Sequence, residues 1–259
     1  VAFCLMTIMT VQAQQPVQNI NFVNGYVSME IDGNFEDWNN INAPEIKLET
    51  LQKVNPVGKD PWGEQTYEGE EDFSAVFKCF ADRSHLYVGI KVTDDQAVFG
   101  ESLEKNGKWW NDDGVAVYLD GEPSAATPQY DQNDGEIAVI IKENQQIKLT
   151  TGNVANLDFI PQVWPAMGVN AAINIHEEGY DLELSIPAHI FDLDYFQVGK
   201  PIGFNVVACD DDDGGERDNK ISWSNDTNIQ SHKNPTLFGK LILHAQTDLK
   251  DLPDDQLLK

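Results

Sequence analysis

The chain has 259 residues, with 17 Lys and Arg against 43 Asp and Glu and a formal net charge of -26. That length allows one large domain or two small ones. Such an acid excess excludes nucleic acid and anionic membrane as partners, since both would be repelled, and it suits a neutral ligand or a bound cation.

The opening stretch, VAFCLMTIMTVQAQQP, carries no charge, is apolar for about eleven positions and ends in Val11-Gln12-Ala13, a small-x-small pattern that suits signal-peptidase cleavage. Residues 1–13 therefore read as a signal peptide without its basic start, and the protein as exported. An apolar first strand is the alternative, for the stretch is too short to span a bilayer. No other stretch is fit to cross a membrane. With Cys4 in the leader, Cys79 and Cys209 remain. One bridge is allowed in an oxidising compartment but not implied, because both lie in strand-like runs where a buried thiol packs as a small hydrophobe.

Further along, NFVNGYVSMEIDGNFEDW gives a short strand, the turn signal Asp32-Gly33 and then Trp38. Residues 39–72 show little periodicity, and LQKVNPVGKDPWGEQTYEGEED, which carries Trp62, reads as a surface loop. From Phe73 the pattern becomes regular. FSAVFKCFAD and LYVGIKVTDD form a hairpin about Asp82 to His85, with Leu86, Val88, Ile90 and Val92 on one face and Tyr87, Lys91 and Thr93 on the other. Val115, Val117 and Leu119 alternate in DDGVAVYLDG. A second hairpin turns at Glu143 to Gln145 and a third at Glu178-Gly179, the latter with Leu182, Leu184 and Ile186 inward and Asp181, Glu183 and Ser185 outward. IGFNVVACDDDDGG and PTLFGKLILHA supply the last long strands, and PAHIFDLD is the one helical hint.

Closely spaced strands with turn chemistry between them predict an all-β fold, an antiparallel β-sandwich of jelly-roll or immunoglobulin-like two-sheet architecture with long loop insertions. A single domain is expected over residues 14–245, followed by a loose charged tail over 246–259.

No nucleophile elbow, phosphate loop, dinucleotide fingerprint or zinc-protease motif is present. The histidines at 85, 176, 189, 232 and 244 do not pair at metal-ligand spacing. Carboxylate pairs are too abundant to diagnose a glycosidase. The run Asp210 to Lys220 fails as an EF-hand, since Ile221 stands where the bidentate Glu belongs. It still offers oxygen ligands on a Gly-rich turn, with Asp210 and Asp212 as candidate calcium ligands; a solvated acidic loop is the alternative. Trp62, Trp109, Trp110, Trp164 and Trp223 flank turns and charged residues, where exposed rings are expected to stack on sugars. Asn111, Asp112, Glu216, Arg217, Asn219 and Asn225 offer amide, carboxylate and guanidinium partners for hydroxyls beside them.

The motifs IDGNFEDW, LYVGIKVTDD, WWNDDGVAVYLDG, GYDLELSIP, IGFNVVACDDDDGG with ISW, and NPTLFGKLIL occur in an order that resembles the family 9 carbohydrate-binding modules, from about Tyr26 to Leu243. The resemblance implies a β-sandwich, structural calcium, and a terminal sugar clamped between two tryptophans. Trp110 or Trp109 corresponds to the first clamp residue. An acidic partner three positions after the second aspartate is replaced by Ala116. No tryptophan occurs in Ile229 to His232, before P-x-x-F-G, which leaves Trp223 as the nearest second clamp or else a core residue.

The expected function is therefore non-catalytic binding of a poly- or oligosaccharide by an exported domain. The site is drawn from Trp109, Trp110, Asn111, Trp223, Arg217 and Asn225, with no organic cofactor, and the partners include other components of a polysaccharide-degrading system. Two alternatives are an exported haem-binding redox subunit, ligated by Met29 or Met167 with histidine, and a glycoside hydrolase using Glu183 with one of the loop aspartates.

Overall fold

The structure, a computed structural model, describes residues 14–52, 67–142, 146–151, 163–245 and 257–258. The leader, the Trp62 loop, the second hairpin's turn and most of the tail lie outside these residues.

The first strands are β1 (Val17–Phe22), β2 (Tyr26–Val27), β3 (Ile46–Lys47), β4 (Thr50–Leu51), β5 (Phe73–Ala81) and β6 (His85–Asp94). A short helix α1 (Glu101–Asn106) precedes β7 (Gly114–Asp120), β8 (Asp134–Ile141) and β9 (Ile147–Thr151). After α2 (Val163–Ala166) come β10 (Asn170–His176), β11 (Gly179–Pro187), β12 (Pro201–Asp210), β13 (Asn219–Ser222), β14 (Gly239–Ala245) and β15 (Leu257–Leu258). The helical hint at PAHIFDLD is a single 3-10 turn over Ala188–Phe191.

The strands run in the order β10-β11-β6-β5-β1-β14-β12-β7-β8-β9. Two strands stand between β5 and β12, which would hold them about 14 Å apart in a flat sheet. Yet Phe77 of β5 and Phe204 of β12 have ring centroids 5.7 Å apart. The sheet has folded back on itself into two layers, with β1 at the fold, parallel to both β14 and β5. The alternating residues explain why. Leu86, Val88, Ile90, Val92, Leu182, Leu184 and Ile186 from one layer share a buried cluster with Val115, Val117, Leu119, Val206 and Ala208 from the other. Period-two alternation gives each layer one apolar face, and closing the two faces together removes both from water.

The opposite faces are covered too. On the first layer, Tyr87, the residue after Leu86, turns outward and stacks on Phe80 at 4.7 Å, and the Trp38 ring meets Phe80 edge-on at 5.5 Å. The Asp32-Gly33 turn positions this cover. Gly33 has φ +86°, and a Cβ there would lie 2.7 Å from the Ile173 carbonyl carbon, so only glycine fits. Cys79 and Cys209 are free thiols, Cys79 facing the shared core and Cys209 the outer face of the second layer. Of the tail, only Leu257 and Leu258 are described, and they pair antiparallel with Val27 and Tyr26.

Candidate functional site

The site is built on the outer face of the second layer. Register puts Cys209, Gly114 and Ile140 in one row, Ser222, Val207, Ala116 and Ala138 in the next, and Asn205, Tyr118 and Glu136 in a third. The middle of this face is therefore small and apolar, and Ala116 belongs to it. Trp109 and Phe238 pack onto it, with Leu103, Trp110 and Tyr130 partly buried alongside.

The two tryptophans divide this work. The rings stand edge to face at 6.1 Å. Trp109, only 7% exposed, anchors the loop against the face, while Trp110 remains half-buried at the surface. Polar groups gather around Trp110. Arg217 Nη1 donates to the Trp110 carbonyl at 2.8 Å. Glu216 bridges the same loop, accepting from Lys108 Nζ at 3.0 Å and from Asn111 Nδ2 at 2.8 Å. The side-chain carbonyl oxygen of Asn111 is buried without a hydrogen bond among the described residues. Asp112 instead turns away from the ring, and its two oxygens accept the Ser102 and Leu103 amides and hold the start of α1.

Among the described residues, the expected exposure of Trp164 and Trp223 is not found. Trp223 is 8% exposed because its ring packs on Phe77 at 5.4 Å and Phe204 at 6.1 Å in the shared core, against Gly239. Trp164 is 5% exposed and donates Nε1 to the Glu136 carbonyl at 3.0 Å. Both flank turns in sequence, but layer packing buries them. Asn225 lies at the surface with its amides bonded to Gln14 and Gln15 rather than to the Trp110 loop. Glu183 points outward on β11 as alternation requires, but is 0% exposed. Its Oε2 accepts the Asp32 and Gly33 amides at 3.0 and 2.7 Å and its Oε1 accepts Trp38 Nε1 at 2.7 Å. It pins the IDGNFEDW segment, and its lone pairs are engaged.

A second feature lies at the head of β7. Asp94 ends β6, Asp113 precedes β7 and Asp210 ends β12, and register places these three points at one end of the two layers. Their carboxylates are buried with oxygens within 4.8 Å of one another. Among the described residues, Asp94 Oδ2 and Asp113 Oδ1 have no hydrogen-bond partner, nor does the buried hydroxyl of Tyr180, whose neighbours include Asp113 and Asp94. Burial first, then the adjoining charges, raises all three acids, Asp210 to about 8. Two further triads flank this one: Asp94, Asp95 and Asp212, and Asp211, Asp213 and Asp218. Three buried carboxylates, two of them with an orphaned oxygen and the third, Asp210, accepting from Asn219 Nδ2 at 2.6 Å, form a hard-oxygen donor set that fits a divalent cation such as calcium. Of the two metal ligands read from sequence, Asp210 stands in the central triad and Asp212 in a flanking one. Sequence reasoning misses Asp94 and Asp113. Their signal is an acidic pair at each strand end, VTDD and NDDG.

The sequence profile described as carbohydrate family 9 binding domain-like matches residues 49–246. The chain belongs to this family. Among curated relatives of the family 9 domain, Endo-1,4-beta-xylanase A from Thermotoga neapolitana is 26% identical over 224 residues, covering 84% of this chain and 17% of that protein. Exoglucanase XynX from Acetivibrio thermocellus is 26% identical over 220 residues, 84% of this chain and 16% of that one. The chain thus spans less than a fifth of the length of these curated relatives. A family 9 module from Caldicellulosiruptor kristjanssonii solved with glucose superposes with a TM-score of 0.61 at 20% identity, covering 89% of this chain and 98% of that one. The same source's module with cellotriose gives 0.59 at 21% identity, covering 91% and 98%. These structures share the fold.

Proposed function

We propose that this family 9 domain binds carbohydrate without catalysis, on the outer face of β7, β8 and β12, with the Trp110 ring as the stacking platform. The observation that carries the reading is the division between the two adjacent tryptophans, one locked into the face and the other half-open beside an amide, a carboxylate, an ammonium and a guanidinium. A sugar presents C–H faces to an aromatic plane and hydroxyls to such groups. Asn111, with an unsatisfied buried carbonyl, and Arg217 are the partners nearest that ring. Trp223 and Asn225 have no part in it.

Calcium held by Asp94, Asp113 and Asp210 belongs to the same reading. When bound it supplies charge neutralisation, and its ligands are the residue that leads the Trp110 loop into β7 and the ends of two strands. The site's loop would then be fixed to both layers. The domain acts outside the cytoplasm, as one module of a larger polysaccharide-degrading protein or beside one, a reading supported by relatives that are a xylanase and an exoglucanase.

Affinity electrophoresis and calorimetry against a panel of plant and algal glycans test this. Binding to at least one glycan, reduced tenfold or more by Trp110→Ala, is expected. No binding anywhere on the panel, or binding indifferent to Trp110→Ala, overturns it.

A further inference from the structure

Lys220 is 5% exposed on the outer face of the second layer. It pairs in register with Cys209, which pairs in turn with Gly114 at the head of β7, one row above Ala116. Among the described residues its ammonium makes no hydrogen bond and no ion pair. Its three N–H donors thus have no acceptor among these residues. A buried cation in that condition is unfavourable unless something supplies both the acceptor and the charge.

The surroundings do not supply them. Of the charged groups that act on it, Arg217 opposes its charge while Glu136 and Asp226 favour it. Arg217 is itself a buried cation, with Nη1 3.8 Å from Cys209 Sγ and 2.8 Å from the Trp110 carbonyl. Asp226 is consumed by its own loop, its Oδ2 accepting the Gln230 and Ser231 amides at 2.6 and 2.7 Å and the Ser231 hydroxyl at 2.8 Å. Glu136 lies beside the Tyr118 hydroxyl. Burial is the larger influence and holds the Lys220 pKa below its ordinary value. Among the described residues no carboxylate forms an ion pair with this lysine, and Glu136 and Asp226 act on it only from farther away.

We propose that Lys220, with Arg217, receives the carboxylate of an acidic sugar, so that the ligand of the Trp110 site is an oligosaccharide bearing a uronic acid residue. The inference rests on the carbohydrate reading above and names the class of sugar that reading leaves open. The missing acid at Ala116 agrees with it: a second carboxylate there would add to the repulsion from Glu136 in the next row, and Ala116 and Ala138 carry methyl groups instead. The net charge of -26 sets a limit on the ligand. A polyuronate would be repelled along its whole length, whereas one carboxylate on an otherwise neutral chain is screened beyond about 8 Å at physiological salt and meets the local cations at contact.

The test is calorimetry on the full chain with calcium present, comparing a neutral xylo-oligosaccharide with the same oligosaccharide carrying a single glucuronate branch, and glucose with glucuronate. The acidic member of a pair is expected to bind at least tenfold tighter. Lys220→Met should cut that preference tenfold or more, while Lys220→Arg, which keeps the charge, retains most of it. Equal binding of neutral and acidic partners by the wild type overturns the inference and leaves the carbohydrate reading standing, and that comparison decides even where Lys220→Met does not fold. An unchanged preference in folded Lys220→Met also overturns it. Binding of neither class removes both readings together.

Discussion

Replacing Asp113 by Asn separates a metal ligand from an ordinary core residue, because the two roles predict opposite effects in chelator. Three carboxylates with oxygens within 4.8 Å repel one another. Each ionised pair at that distance is unfavourable by about 3 kcal/mol at an effective dielectric constant near 20. Proton uptake relieves part of this in the metal-free protein, so removing one charge should stabilise it by on the order of 2 kcal/mol at pH 8. The metal-bound wild type gains through mass action instead: calcium at a hundredfold excess over its Kd contributes about 2.7 kcal/mol. For a domain of this size that is a Tm change of roughly 5–10 °C. Differential scanning fluorimetry with EGTA and with calcium should therefore show wild type losing about that much in EGTA. Asp113→Asn should melt above wild type in EGTA and respond little to added calcium. A wild-type melting curve unmoved by EGTA, or an Asp113→Asn variant destabilised equally in both conditions, would refute the assignment.

Three other outcomes follow from the same packing. Trp223→Ala should lower stability by about 3–5 kcal/mol in urea unfolding, the range for a large aromatic removed from a core, whereas a surface ring would show almost none of that loss. Glu183→Gln should destabilise by about 1–3 kcal/mol, through weaker acceptance of the Asp32, Gly33 and Trp38 N–H groups, with glycan binding unchanged; a loss of binding with intact stability would reinstate Glu183 as a functional group. Asp120 and Asp134, paired across β7 and β8, are raised chiefly by burial to about 6 and about 7. Both folded values lie above the unfolded ones, so their contribution to stability is full below about pH 4 and lost as pH rises through 6 to 7. The calcium-saturated protein should then lose on the order of 1–3 kcal/mol between pH 5 and 8, and Asp134→Asn should flatten that slope; parallel profiles for the two proteins would count against the pair.

What the sequence discloses and what it hides follow from one distinction. Alternation is a property of a single strand, so the inward sets Leu86 to Val92, Val115 to Leu119 and Leu182 to Ile186 are legible, and all of them enter the shared core. Whether a residue beside a turn is covered depends on the opposing layer, which no single strand specifies. Trp223 follows β13 and looks like a loop residue, yet folding the sheet at β1 brings Phe77 against it. The aspartates pose the same problem more sharply. Their abundance, 43 acidic residues in 259, makes any one carboxylate uninformative. What distinguishes Asp94, Asp113 and Asp210 is convergence: β7 runs antiparallel to β12, so the start of one meets the end of the other, and the layer closure adds the end of β6. Lys220 inverts the case, for it is one of only 17 basic residues and still looks unremarkable after DDDDGGERD, where proximity in sequence suggests neutralisation. The backbone directs it away. Alternation on β13 turns Ile221 into the core and Lys220 to the outer face, so the acids nearest in sequence lie at the end of the sandwich while the lysine stands on the face that Trp109 packs against. Its lack of an ion-pair partner among the described residues is thus a consequence of strand register, and that register gives the acidic-sugar proposal its physical basis.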